Sequence, residues 1–201
     1  MPNQVAPRGF VPSRYRSGSV WIGAVNMYVI PASDVTIISV GDAVKSAPNG
    51  DANGIPAIAK AVAGDTVRGV VVGILLVIPN NPSFAGTNLD LTIQNVPAVK
   101  TRAYYALVVD DQDVMFEIQD DGLAALTATA CNKNANFTVV NPVSPQQMSQ
   151  TVLTTASVAV TAALPLKLIG LAQKANNAFG VNASWLVIFN QHEFNGNTAG
   201  I

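Results

Sequence analysis

A chain of 201 residues with 49% hydrophobic, 11% charged and 6% aromatic positions is long enough to bury one sizeable core. Soluble domains ordinarily carry roughly 25% charged residues, so this surface is poor in ions. Abundant Val, Ile, Leu and Ala exclude intrinsic disorder, and a formal net charge of -1 excludes the basic footprint of a nucleic-acid binder.

Cys131 and His192 are the only residues of their kinds. They provide neither an internal disulfide nor a Cys/His zinc set, and no metal and no cofactor are expected. The opening Met-Pro-Asn-Gln-Val-Ala-Pro-Arg lacks a basic stretch followed by an apolar run, so the sequence predicts no secretory signal and synthesis in the cytoplasm. A mean hydropathy of +0.33 raises the question of a membrane. The best uncharged stretch, 69–89, is broken by Pro79-Asn80-Asn81-Pro82, and a spanning helix needs about 20 apolar residues. No membrane partner is expected. Scarce charge points instead to extensive association, because interface cores are depleted in Lys, Glu and Asp and a net charge near zero removes mutual repulsion.

Residues 1–17 hold Pro2, Pro7, Pro12, Gly9 and three of the five arginines, Arg8, Arg14 and Arg16. Proline fixes φ and removes backbone donors, so this segment reads as an extended N-terminal arm, unsuited to a helix or a central strand. From residue 18 to 201 the pattern is one β-rich domain. Short β-branched and aromatic runs at 20–30, 35–40, 67–78, 103–109, 114–119, 137–140, 152–160, 166–171 and 185–189 alternate with turn chemistry such as Pro48-Asn-Gly-Asp, Asn53-Gly-Ile-Pro and Asp121-Gly. The expected fold is mainly β, an antiparallel sandwich or barrel-like domain with at most one or two short helices. Those helices would fall at 123–131, where alanine is frequent but the pattern is equally open to a loop, and at Ser144-Pro145-Gln146-Gln147, which has an N-cap and a first-turn proline.

Half of the acids, Asp110, Asp111, Asp113, Glu117, Asp120 and Asp121, crowd into twelve residues. A calcium loop of the EF-hand type needs Gly at its sixth and Glu at its twelfth position; counted from Asp111 those are Phe116 and Gly122. The simpler reading is a strand with Val114, Phe116 and Ile118 facing inward, Glu117 and Gln119 outward, and Asp in the flanking turns. His192 is the sole candidate for neutral-pH acid-base chemistry, but no nucleophile elbow or activated cysteine accompanies it, and no phosphate-binding glycine motif is present. The chain reads as a non-enzyme. The arm carries the residue types that dominate binding hot spots, Arg8, Phe10, Arg14, Tyr15 and Arg16, followed by Trp21, and these six are the candidate interface residues.

Three stretches carry a resemblance: Val114-Met-Phe-Glu-Ile-Gln, Leu164-Pro-Leu-Lys-Leu-Ile-Gly-Leu, and Asn182-Ala-Ser-Trp-Leu-Val-Ile-Phe-Asn-Gln-His. With the opening Gly9-Phe10-Val11-Pro12, their order and spacing resemble the head decoration, or cement, proteins of tailed bacteriophages, over roughly residues 100–194. The resemblance implies a virion protein on the outer surface of an icosahedral capsid. It would clamp neighbouring subunits of the major capsid protein and self-associate as a homotrimer, a dimer being the alternative. It also implies an arm laid along the capsid, adding a strand to a capsid sheet edge. Competing readings are another β-rich virion part, such as a tail or baseplate adaptor, and a carbohydrate-binding or hydrolase domain; two tryptophans offer little for stacking on sugars.

Overall fold

The computed structural model of the chain describes residues 3–76, 92–143 and 147–195. They form a mainly β fold with two principal parts. One is an antiparallel sheet of five strands in the order β1 (Val11–Tyr15), β9 (Val114–Gln119), β14 (Ser184–Phe189), β13 (Leu166–Leu171) and β10 (Asn134–Ala135). The other is a small closed barrel of β2 (Asn26–Ile30), β5 (Pro56–Lys60), β4 (Ala43–Gly50), β6 (Gly69–Leu75) and β8 (Tyr104–Val109). Its one parallel pair, β2 with β5, closes the ring, so no barrel edge is left unpaired. Two short ribbons complete the pairing: β3 (Ile38–Ser39) with β7 (Asn95–Val96), and β11 (Phe137–Thr138) with β12 (Val152–Leu153).

Strand alternation explains why the two parts adhere. Successive side chains on a strand point to opposite faces. Along the barrel strands Val44, Val71 and Val108 point inward with Tyr28, Ile30, Ile58 and Ala106, while their neighbours Ala43, Val70 and Val109 point outward into a second core. There they meet Phe116, Ile118, Leu166, Leu168, Trp185, Val187 and Phe189 from the inner face of the sheet. The inward set of β9 is therefore Val114, Phe116 and Ile118, as the alternation predicts.

Both ends of the chain are sewn across this junction. Near the start, the Phe10 N–H donates to the Gly41 carbonyl at 2.8 Å. The Phe10 ring then sits among Phe116, Phe137 and Phe189 at centroid distances of 6.3, 5.4 and 5.2 Å. Near the end, the chain leaves β14 and pairs with the barrel at Val67, whose N–H donates to Gln191 and whose carbonyl accepts from Glu193.

Three expectations take a more definite form. The extended segment 3–17 carries β1, which is built into the sheet beside β9; its Pro12 is tolerated because β1 is the edge strand. Of the two readings of 123–131 the structure has the loop, ending in one 3₁₀ turn, Ala128–Ala130, capped by Thr127; Leu123 and Leu126 do not share a buried face, since Leu123 is exposed and Leu126 buried. The 152–160 run is only a two-residue strand followed by a 3₁₀ turn at Thr155–Ser157. The turn expected at 144–147 falls largely outside the described residues.

Candidate interface along the sheet edge

The six residues singled out from the sequence divide into exposed and buried groups. Arg8, Arg14 and Arg16 are exposed, Tyr15 and Trp21 are half-buried, and Phe10 is 1% exposed. Phe10 is thereby corrected from an interface residue to a core residue: four rings packed together exclude any partner from it. Tyr15 and Trp21 also lean on the main core, and the Trp21 indole N–H donates to the Ala24 carbonyl.

What brings the remaining residues together is a hairpin at the end of β1. The Tyr15 N–H donates to the Ser19 carbonyl and the Gly18 N–H donates back to Tyr15, so the chain reverses at Gly18, whose φ of +92° favours glycine. The return places Val20 opposite Arg14. Arg16 is anchored twice to the turn before β9, through its N–H to the Asp113 carbonyl and through its guanidinium to the Asp113 carboxylate. The result is a strip along the outer edge of the sheet on which Val20, 73% exposed, stands across from Arg14, with Arg16 before the turn and Ile22, 87% exposed, two residues beyond Val20. The two aliphatic residues were missed as surface residues because their alternation around Trp21 reads as the start of a strand.

Before β1 the chain is held by side-chain amides. Gln119 accepts from the Ala6 N–H and donates to the Gln4 carbonyl, while Asn3 donates to the carbonyls of Ala178 and Val181 and accepts from the Ala178 N–H. These bonds fix the segment that displays Val5 and Arg8 and roof a polar cleft of about 230 Å³ bordered by Glu117, Lys174 and Asn176. Three of the cleft's side-chain amides, those of Asn3, Gln119 and Asn177, are engaged in holding the fold.

The acids of the 110–121 stretch each have a structural task. Asp110 accepts from Asn26 and from the Tyr28 hydroxyl; Asp111 accepts from the Asp113 N–H; Glu117 pairs with Lys174. Asp120 accepts the N–H groups of Gly122, Asn182 and Ala183, yet burial still pushes its carboxyl above the usual range. Asp121 accepts from Leu123 and Thr155. Among the described residues no group of three or more His, Cys, Asp or Glu is arranged to hold a metal ion.

A further titratable cluster lies where residues 191–195 meet the barrel. Arg68 donates to the Tyr28 hydroxyl at 2.9 Å, pairs with Glu193 at 3.3 Å and lies 3.9 Å over the Phe194 ring. Glu193 also accepts from the N–H and hydroxyl of Ser46. Burial, reinforced by the hydrogen bond to Asp110, pushes the Tyr28 phenol up to about 12. His192 is buried beside this cluster, its Nδ1 accepting the Phe194 N–H at 3.1 Å, and burial holds its imidazole below the usual histidine range. With Nδ1 accepting, the proton resides on Nε2, which has no hydrogen-bond partner among the described residues. These bonds fasten the chain around His192 and Glu193 to the barrel.

No protein-family model, no curated protein and no solved structure matches the chain.

Proposed function

We propose that the protein is a structural component of a tailed-phage virion that binds the outer surface of an icosahedral head and stabilises it by clamping neighbouring copies of the major capsid protein. The observation that carries this reading is the strip of exposed Arg14, Arg16, Val20 and Ile22 on an otherwise charge-poor chain. Cations beside aliphatic side chains at the rim of the sheet suit a protein surface. Their placement on a strand and a closed turn means that little conformational entropy is lost on binding. Self-association as a homotrimer multiplies the hold of each copy through effective concentration. The reading rests also on the resemblance of residues 100–194 to head decoration proteins.

The test is co-sedimentation of the recombinant protein with undecorated phage heads, beside a Val20→Asp/Ile22→Asp variant. Saturable binding by the wild type, reduced at least tenfold in the variant, is the expected result. Binding to isolated tails or baseplates instead of heads would assign the protein to an adaptor role, and equal binding by both proteins would overturn the assignment of the interface to this strip.

A further inference from the structure

Lys60, the last residue of β5, is a rare buried lysine, its side chain only 6% exposed, and its nitrogen faces three oxygens. Asp42 Oδ2 lies at 2.8 Å, the Ile37 carbonyl at 2.9 Å and the side-chain oxygen of Asn141 at 2.7 Å. Asp42, 1% exposed, is itself fixed by the Ser39 N–H at 2.8 Å and by the hydroxyls of Ser149 at 2.5 Å and Thr151 at 3.3 Å. An amine hemmed in by a carboxylate and by the oxygen of a carboxamide is the arrangement needed for amide exchange between side chains. Because an ammonium only donates, the Asn141 oxygen faces Lys60, and this brings the carboxamide carbon toward the amine.

We propose that Lys60 and Asn141 form an intramolecular isopeptide bond, with Asp42 as the proton carrier. Lys60 passes one proton to Asp42 across the 2.8 Å contact and becomes a neutral amine. The amine's lone pair attacks Asn141 Cγ, forming the new N–C bond. Asp42 delivers its proton to Asn141 Nδ2 and accepts one from the attacking nitrogen; the Cγ–Nδ2 bond then breaks, and the departing ammonia carries the remaining proton away as ammonium. Asp42 ends as a carboxylate, the total charge is unchanged, and no oxidant or cofactor takes part. Holding the groups in contact replaces a bimolecular aminolysis by a step of high effective molarity.

Two further features favour this outcome. Asn141 is exposed on its other side, where it lines a groove of about 400 Å³ with Val5, Val140 and Val143, so ammonia has an exit. Asn141 is also followed by Pro142. The usual loss of ammonia from asparagine proceeds by attack of the next backbone N–H, and proline has none. The amide is thus preserved for Lys60. The bond would close a loop between positions 81 apart, joining the barrel to the segment before β12, and no reductant would open it.

The experiment is the intact mass of the purified full chain followed by a tryptic map. Trypsin does not cleave after an acylated lysine, so the expected product is peptide 46–68 joined to peptide 134–167, with an intact mass one ammonia below that of the sequence. Asn141→Ala, an exposed position that leaves the fold intact by circular dichroism, restores the full mass and the cut after Lys60. Complete recovery of linear peptides, with no mass deficit after days of incubation of the folded protein, would overturn the proposal. A deficit that persists in Asn141→Ala would also overturn it, since cyclisation elsewhere, as at Asn49-Gly50, would then be its source.

Discussion

Gly9 and Gly41 cross backbone to backbone. A Cβ on Gly9 would lie 2.3 Å from the Gly41 oxygen, and a Cβ on Gly41 would lie 2.4 Å from the Arg8 oxygen. The crossing takes the chain from the cleft side of the sheet into the core, so that Phe10 arrives between the two parts of the fold. Gly41 also has φ +93°. Gly41→Ala is therefore expected to cost roughly 2–4 kcal/mol, combining backbone strain with forced separation of the two crossing segments. Gly18 makes a matched control, with φ +92° and, among the described residues other than its chain neighbours, no atom within 4 Å of the place a Cβ would take, so Gly18→Ala bears only the strain of about 1–2 kcal/mol. Urea unfolding of both variants measures the difference, and equal losses would show that the crossing is not tight.

Phe10→Ala follows the same logic on the side-chain level. Removing a ring that touches three other phenylalanines is expected to cost about 3–5 kcal/mol. Deletion of residues 1–17 then yields an unfolded chain, where a detached arm would leave a folded domain that merely fails to bind. Thermal melts of the deletion distinguish the two, a cooperative transition near that of the intact chain being the contrary result.

The burial of Phe10 shows where the sequence is informative. β9 and β13 are legible to the residue because each combines β-branched or aliphatic alternation with clear turn residues at its ends. The strands β4 and β5 are not: Ala-Val-Lys-Ser-Ala-Pro-Asn-Gly and Pro-Ala-Ile-Ala-Lys have little intrinsic strand preference. They are strands because pairing to β6 and β2 closes a barrel around Val44 and Ile58. Arg14 and Arg16 are legible as surface residues from charge alone. Phe10, with equal hot-spot character, is buried because a crossing with Gly41, far along the chain, carries it inward. The Asp42, Lys60 and Asn141 cluster leaves no local trace, since its members come from three separate segments.

His192 makes stability depend on pH in a defined direction. Burial is the largest influence on its imidazole and opposes the charge; Arg68 acts with it, while Asp110, Glu193 and Asp111 oppose it without prevailing. The folded state thus binds a proton less readily than the unfolded chain, whose histidine titrates near 6.5. Its contribution is complete above that value and declines as pH falls toward the lower folded pKa, because the unfolded chain takes up the proton first. Protonation at Nδ1 also removes the acceptor of the Phe194 N–H. Melting temperature measured from about pH 8 to about pH 5 should fall more steeply for the wild type than for His192→Gln. Parallel curves would assign the acid sensitivity to other groups.

Stability and association separate at the sheet edge. The Arg16–Asp113 pair is about half exposed at both ends, and exposed pairs contribute about 0–1 kcal/mol, screened by salt. Arg14 projects from an edge strand whose core contacts come from its neighbours. Arg14→Glu/Arg16→Glu is therefore expected to shift the unfolding free energy by no more than about 1 kcal/mol. Capsid association is expected to weaken by tenfold or more, since charge reversal places repulsion inside the proposed contact. Denaturant midpoints and head co-sedimentation on the same preparation check both halves. A variant that binds normally would remove the arginines from the interface, and one that unfolds would show that they hold the edge strand in place.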